Sequence, residues 1–303
     1  MKQAFKQLFY KVNSKWKRVD YTNALLLGKL HAERVRRLGT LTSLGDAEFR
    51  VFSQFGEDGI LQYLLGKVEI THRVFVEFGV ENYLESNTRF LVYNNDWKGL
   101  VMDGDKSNIR FIAGDELAWK HGLTPLAAFV TAENIDDLIR AHVTETDIGI
   151  LSIDIDGNDF WVWRSITAVS PRIVVVEFNN VFGGERAVTV PYDPAFERYT
   201  AHYSGLYHGA SLSAFCRLAE EKGYDFVGVN TSCMNAFFVR KDVSGALHKP
   251  TPREAFRFNN IRMSMDAARN KTFLKGRARA EVIGDMPVID LETASTIRIK
   301  DML

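Results

Sequence analysis

Cysteine is scarce in this chain, since only Cys216 and Cys233 occur among 303 residues. They have neither the CxxC spacing of a structural zinc site nor partner histidines, and two cysteines are too few for a disulfide-based fold. We therefore expect a reducing compartment and a cytoplasmic protein. The fold must rely on an apolar core, which a hydrophobic content of 46% can supply.

An excess of positive charge is also missing. Lys and Arg together number 38, as do Asp and Glu, so the overall charge gives no reason to expect nucleic acid as a partner. No apolar run approaches the length of a membrane span, and charges interrupt the first residues, unlike a signal peptide. The length suits one large α/β domain with terminal additions.

The charge is unevenly distributed, because the first 40 residues hold ten basic and two acidic groups. Apolar residues recur there at helical spacing: Phe5, Leu8, Phe9, Val12 and Trp16. The pattern predicts a basic amphipathic helix that either packs on the domain or a second subunit of a homo-oligomer, or contacts an anionic membrane surface. A second helix is predicted from about Asn23 to Leu38, with Gly39 as its C-cap.

From Val74 onward, short apolar runs alternate with helical segments, which is typical of βαβ units and a mainly parallel sheet. The first five strands are predicted at Val74–Phe78, Gly99–Asp103, Ala127–Thr131, Ile148–Asp154 and Ile173–Phe178. A last helix, a hairpin and a closing strand are predicted at Ser211–Glu221, Asp225–Val229, Ala236–Arg240 and Val288–Leu291. The helix is stopped by Gly223.

Ligands of parallel α/β sheets lie at the carboxyl ends of the strands. Gly79 follows the first strand and permits close approach of a ligand, but a GxGxxG motif is missing, so a dinucleotide pyrophosphate has no cradle. Asp103 ends the second strand, where a carboxylate commonly accepts hydrogen bonds from a ribose, although such a residue equally often caps a helix. A ligand with a ribose and no diphosphate fits better than NAD.

Carboxylates and amides also follow the fourth and fifth strands. Because neighbouring strand ends meet, Asp154, Glu177 and Asn179 are expected to converge, and oxygen ligands of this kind suit Mg²⁺ or Mn²⁺. Alternatively, Asp154 and Asp156 cap the following helix while the asparagines satisfy turn backbone groups. Without a metal, Asp154 or Asp156 becomes the candidate general base.

Aromatic residues and histidines alternate just before the last predicted helix: Tyr199, His202, Tyr203, Tyr207 and His208. The rings could cover an apolar sugar face or a phenol, and a neutral histidine could accept a hydroxyl proton. Both His202 and His208 are candidates, and His208 is favoured because it lies next to the helix start. The alternative is a surface loop whose aromatic rings pack on the fifth strand.

The string SQFGEDGI from Ser53 to Ile60, followed by FVEFGVENYLESNTRFLVYNNDWKGLVMDGD, resembles the FkbM-type methyltransferases. They pair an SQxGED-like helix start with a core of the pattern fvEiGa…sNT…L…gW.Gl. The resemblance covers roughly residues 50 to 240, and it continues through Ile148–Arg164, Ile173–Asn179, Gly223–Tyr224 and Asn235–Arg240. It departs from the pattern at Glu81 and Asn82, where many relatives have a small residue and then glycine.

The resemblance implies an α/β, Rossmann-like class I methyltransferase fold, with a mainly parallel seven-stranded sheet, helices on both faces and a helical N-terminal extension. It also implies S-adenosylmethionine (SAM) as cofactor, bound by Gln54, Asp58, Glu77, Gly79, Ser86, Asn87, Asp103, Asp105 and Glu133. Glu77 and Gly79 would contact the methionine part. Asp103 would hold the ribose, and Glu133 would lie near the adenine.

The favoured function is O-methyl transfer from SAM to a hydroxyl of a sugar, glycan or small metabolite. Residues 1–48 then form a basic helical extension, 49–245 the SAM-binding domain, and 246–303 an extension for substrate or dimer contacts. One alternative is a metal-dependent glycosyltransferase, because Asp103–Asp105 and Asp154–Asp156 both match DxD. Another is a non-catalytic binding module on the same fold.

Overall fold

The computed structural model describes residues 21–302, so the basic helix predicted between Phe5 and Trp16 lies outside the described residues. The helices are α1 (21–36), α2 (Glu57–Leu65), α3 (Arg89–Asn95), α4 (Lys106–Ala113), α5 (Glu116–Lys120), α6 (Ile135–His142), α7 (Asp159–Ser165), α8 (Arg198–Ala201), α9 (Leu212–Lys222), α10 (Pro252–Ala255) and α11 (Arg277–Val282). The strands are β1 (Val74–Phe78), β2 (Lys98–Asp103), β3 (Leu123–Ala127), β4 (Ile150–Ile153), β5 (Ile173–Glu177), β6 (Val188–Thr189), β7 (Tyr224–Val229), β8 (Asn235–Arg240), β9 (Pro287–Asp290) and β10 (Ser295–Arg298).

Seven strands form one sheet in the order β3-β2-β1-β4-β5-β8-β7. The first five are parallel, and β8 runs antiparallel to both of its neighbours. Phe75 of β1 pairs with Gly99 on one side and Ile150 on the other. The strand order therefore reverses at β1, and this switch point is where such sheets bind ligands. The topology confirms the Rossmann-like, mainly parallel seven-stranded fold predicted from the sequence.

Helices cover both faces of the sheet, which is why all five residues of β1 are buried. On one face Val76 and Phe78 belong to a core that also contains Trp163 of α7 and residues of α6 and α9. On the other face Phe75 packs in a core with Leu61 of α2 and with residues of α3 and α4. The carboxyl ends of the parallel strands lie together at one edge of the sheet, where folds of this kind form their sites.

The third strand was predicted in the wrong place, since β3 is Leu123–Ala127 and not Ala127–Thr131. It contains Pro125, which an edge strand tolerates because one side of its backbone needs no partner. The apolar residues just after it cross the end of the sheet, where the Phe129 side chain stays 52% exposed. The end of β4 differs from its predicted position by one residue and its start by two.

The last helix is confirmed, because Ser211 caps α9 by accepting a hydrogen bond from the Ala214 amide and Gly223 ends it in the left-handed region. The end of α1 was predicted wrongly. The helix stops at residue 36, and Gly39 does not adopt a left-handed conformation there. Residues 37 and 38 form a turn instead, with the Leu38 amide bonded to the Val35 carbonyl.

The strand predicted near Val288–Leu291 exists as β9, but it lies in a second sheet of order β10-β9-β6. Residue Thr189 of β6 pairs with Ile289 of β9. A small core of its own, which includes Val188, Tyr207 and Ile283, lies beneath this sheet. No helix within residues 21–302 is long and apolar enough to cross a membrane.

Candidate active site

A cavity of about 640 Å³ opens at the carboxyl ends of β1, β2, β4 and β5. It lies across the switch point of the sheet and has a size typical of sites for small molecules. Residues at the strand ends contribute Glu77, Gly79, Asp103, Asp105, Asp154, Asp156 and Glu177 to its wall. The rest of the wall includes Arg198 and Tyr199 of α8, Asn235 of β8, and the loop residues Gln54, Ser86, Asn87, Phe129, Asn158, Phe196, Met234, Ile261 and Met263, among others.

Glu77, at the end of β1, orders the loop that leads into α3. Its carboxylate accepts hydrogen bonds from the backbone amides of Asn87 at 2.9 Å and Thr88 at 3.2 Å, and also from the Thr88 hydroxyl. Ser152 of β4 donates to it at 3.3 Å, which ties the loop to the neighbouring strand. Burial raises the pKa of Glu77, while these donors act in the opposite direction.

Gly79 lies at the joint between β1 and β4, which is the point just beyond the two strands where their backbones are in contact. Its φ is +77°, and a Cβ at this position would lie 1.5 Å from the Asp154 carbonyl oxygen. Only glycine fits such an approach. Glu81, where the sequence departs from the FkbM pattern, adopts a left-handed conformation with φ +46°. Its amide donates to Asp103 at 2.8 Å, so the loop turns back toward the end of β2.

Asp103 and Asp105 follow β2 and line the cavity. The Asp103 carboxylate accepts hydrogen bonds from the amides of Glu81 and Asp105, both at 2.8 Å, and from the Asn108 side chain at 3.1 Å. A carboxylate offers about four lone-pair directions, so one remains for a ligand. Asp105 caps α4 by accepting from the Ser107 amide at 2.7 Å, which commits this residue to the helix start.

Two residues near the start of α2 were predicted to bind the cofactor, and only one of them lines the cavity. Gln54 is exposed and lines the cavity. Asp58 is buried, and one of its oxygens accepts from the amides of residues 51–53 and from the Ser53 hydroxyl. The preceding Glu57 is also buried and accepts from the side chains of Asn230 at 2.6 Å and Asn235 at 2.7 Å, which links α2 to the hairpin.

Glu133 does not line the cavity. Its carboxylate is exposed and accepts a hydrogen bond from the Tyr192 hydroxyl. The displacement follows from the misplaced third strand, because β3 ends at Ala127 and the chain passes the cavity before it reaches Glu133. Phe129 lies there instead, with a ring carbon 3.5 Å from the position of a Cβ on Gly104.

The cavity has a first half at the ends of β1 and β2 and a second half at the ends of β4 and β5. Asp154 and Glu177 face each other across the second half. Protein atoms surround both carboxyl groups. Asp154 is nevertheless exposed to solvent, because it opens into the cavity. Burial and the charge of Glu177 raise the pKa of Asp154 well above its usual range, and burial and the charges of Asp156 and Asp159 raise the pKa of Glu177 to about 8. Glu177 therefore becomes a carboxylate only as the pH approaches about 8.

Arg198 of α8 supplies positive charge beside these carboxyl groups. Its side chain is only 9% exposed, and its guanidinium is paired with Asp156, which has a left-handed backbone with φ +56°. The guanidinium also donates to the Gly205 carbonyl at 2.7 Å. Neighbouring Asp156 and Glu177 raise the pKa of Arg198, so it stays charged.

The predicted histidines and Asn179 take different places. His208 is buried, with Nδ1 3.8 Å from a Glu177 oxygen, and burial lowers its pKa well below the usual range, so the ring is neutral. His202 bonds to the Ser204 hydroxyl at 2.8 Å and is not part of the cavity wall. The Asn179 amide donates to the carbonyls of residues 206 and 208, and its oxygen accepts from the Val181 amide.

Of the three predicted metal ligands, Asp154 and Glu177 both line the cavity, whereas both ends of the Asn179 side chain bond to backbone groups. Another group converges instead: donor atoms of Asp156, Glu177 and His208 all lie within 4.8 Å of one another. Asp156 in this group is already paired with Arg198. The Asp156 carboxylate, which a divalent ion would need as a free ligand, is thus already occupied by the Arg198 guanidinium.

Several cavity residues were missed by the sequence analysis. Arg198 follows no strand of the main sheet, and Ile261 and Met263 belong to the irregular segment after α10. Tyr199, by contrast, belongs to the aromatic group proposed from the sequence and does line the cavity. Phe129 was hidden inside a falsely predicted strand. Glu57 lies outside the cavity wall. It belongs to the SQFGED string, but its partners Asn230 and Asn235 lie more than 170 residues away in the chain.

No protein-family model and no curated protein matches the chain. Among solved structures it is similar to the CurJ carbon methyltransferase, at 10% identity over 60% of this chain and 52% of that one, with a TM-score of 0.36. It is also similar to the O-methyltransferase from Bacillus cereus in complex with SAH, at 13% identity over 55% and 72%, with a TM-score of 0.35. The DszA carbon methyltransferase gives 14% identity over 62% and 54%, with a TM-score of 0.36. The chain thus spans about half of the CurJ and DszA structures.

Proposed function

We propose that this chain is a SAM-dependent methyltransferase of the FkbM type that methylates a hydroxyl oxygen of a sugar, glycan or small metabolite. The observation that carries the proposal is the joint between β1 and β4. There Gly79 leaves no room for a side chain against the Asp154 carbonyl, and Glu77 orders the loop beside it. Together with Asp103 and the missing phosphate cradle, this joint suits a nucleoside without a diphosphate.

The residues around the first half of the cavity fit the parts of SAM, whose contribution is a methyl group on a positively charged sulfur. Gly79 and Asn87 would hold the methionine part. Asp103 would accept a ribose hydroxyl with its remaining lone pair. Phe129, in the place expected for Glu133, would cover the adenine with its exposed ring.

The second half of the cavity would handle the acceptor hydroxyl, which loses its proton as its oxygen bonds to the methyl carbon and the carbon–sulfur bond breaks. We propose that Asp154 or Glu177 accepts this proton. Their raised pKa values suit a general base, because a base works best when its pKa is close to the pH of the reaction. Arg198 fixes Asp156, and neutral His208 borders Glu177. His208 is a positioning residue, since it does not line the cavity.

Isothermal titration calorimetry of the full chain with SAM, S-adenosylhomocysteine and UDP-sugars tests the cofactor. We expect micromolar binding of the first two and none of the sugar nucleotides. Asp103→Asn should weaken SAM binding about tenfold, the loss of roughly 1.4 kcal/mol for a hydrogen bond to a charged group. Asp285→Asn, at an exposed carboxylate of the C-terminal region, is the control.

Binding of a nucleotide sugar without binding of SAM would support the glycosyltransferase instead. The hydrogen bonds do not favour that reading, because each DxD motif has one carboxylate already committed. Asp105 caps α4, and Asp156 is paired with Arg198. If the chain is only a binding module, the natural chain and Asp154→Asn will give the same background level of methyl transfer.

We infer that transfer does not require a divalent ion, because Arg198 already neutralises Asp156. Protein stripped with EDTA and titrated with MgCl₂ or MnCl₂ should show no saturable binding below the millimolar range. Saturable binding that disappears in His208→Ala would overturn this inference. It would assign an ion to Asp156, Glu177 and His208, displacing Arg198.

A further inference from the structure

Two buried arginines lie next to the second half of the cavity, and one of them lacks a counter-charge. Arg198 is paired with Asp156. Arg279, on α11, is only 8% exposed, yet no carboxylate of residues 21–302 forms an ion pair with it. Its guanidinium makes one hydrogen bond, to the Asn259 side chain at 3.1 Å, and its Nε has no partner. A buried charge without a partner is costly, so this arrangement points to a missing anion.

Arg279 lies close behind the cavity wall. Its partner Asn259 also donates to the sulfur of Met234 at 3.2 Å, and Met234 lines the cavity. Ile261 and Met263, which follow Asn259 in the chain, line the cavity as well. The positive charges of Arg198 and Arg279 both lower the pKa of His208, so the two guanidinium groups share one neighbourhood.

The segment that carries this wall is strongly basic. Between Lys249 and Arg279 there are nine basic residues and two acidic ones. Burial and the charge of Arg198 lower the pKa of Arg279. The field on this side of the cavity therefore attracts anions, whereas the carboxylates at the strand ends repel them.

We propose that the acceptor carries an oxyanion, a phosphate or a carboxylate, which binds Arg279 and Arg198 on the side of the cavity bounded by Ile261 and Met263. This rests on the proposed function, because it names the substrate class of the same site. A planar guanidinium presents parallel donors that match the two oxygens of such a group. The bound oxyanion would supply the counter-charge that Arg279 lacks.

Calorimetry of the full chain with inorganic phosphate, pyrophosphate, acetate and citrate, at ionic strength held constant with NaCl, tests the site. We expect saturable binding of at least one oxyanion, and the phosphate and carboxylate arms identify which kind. Arg279→Met should weaken this binding at least tenfold. Arg277→Met is the matched control, since Arg277 lies on the same helix but is exposed and paired with Glu281, and it should change the affinity less than twofold.

Three results would overturn the proposal: no oxyanion binding by the natural chain beyond that of chloride, equal weakening in Arg277→Met, or an equal loss of SAM affinity in Arg279→Met. The last would assign the oxyanion to the cofactor's own carboxylate. If Arg279→Met does not fold, Arg279→Lys keeps the charge without the planar donors and should bind at least threefold more weakly. Oxyanion binding in a protein that does not bind SAM would sink the proposed function and leave this site standing.

Discussion

At the ends of β1 and β2 the carboxylates accept hydrogen bonds from backbone amides of neighbouring loops, whereas at the ends of β4 and β5 they face one another. Glu77 and Asp103 each accept from two backbone amides. Asp154 and Glu177 lie together at the second half of the cavity, where burial and the charge of Glu177 raise the pKa of Asp154, and burial and the charge of Asp156 raise the pKa of Glu177. The same residue type, at equivalent positions in one sheet, thus meets two electrostatic environments.

The difference teaches which carboxylates shape the site and which are suited to chemistry. Amide donors stabilise the ionised form and fix the loop that supplies them. A carboxyl group without such donors keeps its proton to a higher pH and can exchange it near neutrality. Asp159 marks the border, because it lies in the second half but accepts from the amides of Ile155 and Gly157.

The largest effect is expected where the two halves meet. Gly79→Ala should abolish detectable SAM binding and lower the free energy of unfolding by more than about 3 kcal/mol, because its Cβ would overlap the Asp154 carbonyl. Gly183→Ala is a matched control, since Gly183 has φ +78° but nothing within 4 Å of the added atom. Calorimetry and urea unfolding measure both changes. Equal effects in the two variants would show that backbone strain, not the overlap, is responsible.

The second half is tested by Asp154→Asn. We expect the rate of methyl transfer, followed as S-adenosylhomocysteine release with a panel of hydroxyl acceptors, to fall at least about 100-fold, the usual contribution of a general base. The Kd for SAM should change less than twofold. In the natural chain the rate should rise with pH toward about 8, because Glu177 and Asp154 must lose a proton before they accept one. A rate that is already maximal at pH 6 would contradict this assignment.

The first half is tested by Glu77→Gln, which places an amide NH₂ among groups that already donate. The free energy of unfolding should fall by about 2 kcal/mol, which is within the range for an unsatisfied buried group. SAM should bind about tenfold more weakly. The rate at saturating SAM should stay within threefold of the natural chain. Glu221→Gln, at an exposed carboxylate of α9 that does not line the cavity, is the control. A large loss of rate at saturating SAM would end the distinction between the two halves.

Sequence reasoning reached the strand ends because one rule covers them. Buried parallel strands are visible as apolar runs, and Glu77, Gly79, Asp103, Asp154 and Glu177 follow four of them in an order that the sheet must bring together. The edge strand β3 escaped, because Pro125 interrupts its pattern and the neighbouring apolar residues offered a better run. Glu133 was misplaced as a consequence.

The opposite wall of the cavity could not be predicted. Arg198 and Arg279 lie 81 positions apart in the chain, on short helices with no shared motif, and only tertiary packing brings both near His208. Asn179 occupies the predicted register after β5, but its side chain satisfies backbone groups of the loop at 206–208. Whether an amide serves a ligand or a loop depends on partners that spacing does not reveal.

The smallest effect concerns Asp58, a buried carboxylate of α2 outside the cavity wall, whose pKa is raised in spite of its amide donors. One oxygen accepts four hydrogen bonds, the other is buried without a partner, and burial raises the pKa to about 6. Because the folded pKa exceeds the unfolded one, the stability that Asp58 contributes below pH 4 is lost as the pH rises through 6. Asp58→Asn keeps an accepting oxygen and carries no charge, so it should be more stable than the natural chain by about 1 kcal/mol at pH 7.5 and equal to it near pH 4.5. Urea unfolding at both pH values, with the exposed Asp96→Asn as control, measures this change. A destabilised variant at pH 7.5 would mean that the amide donors of Asp58 outweigh its burial.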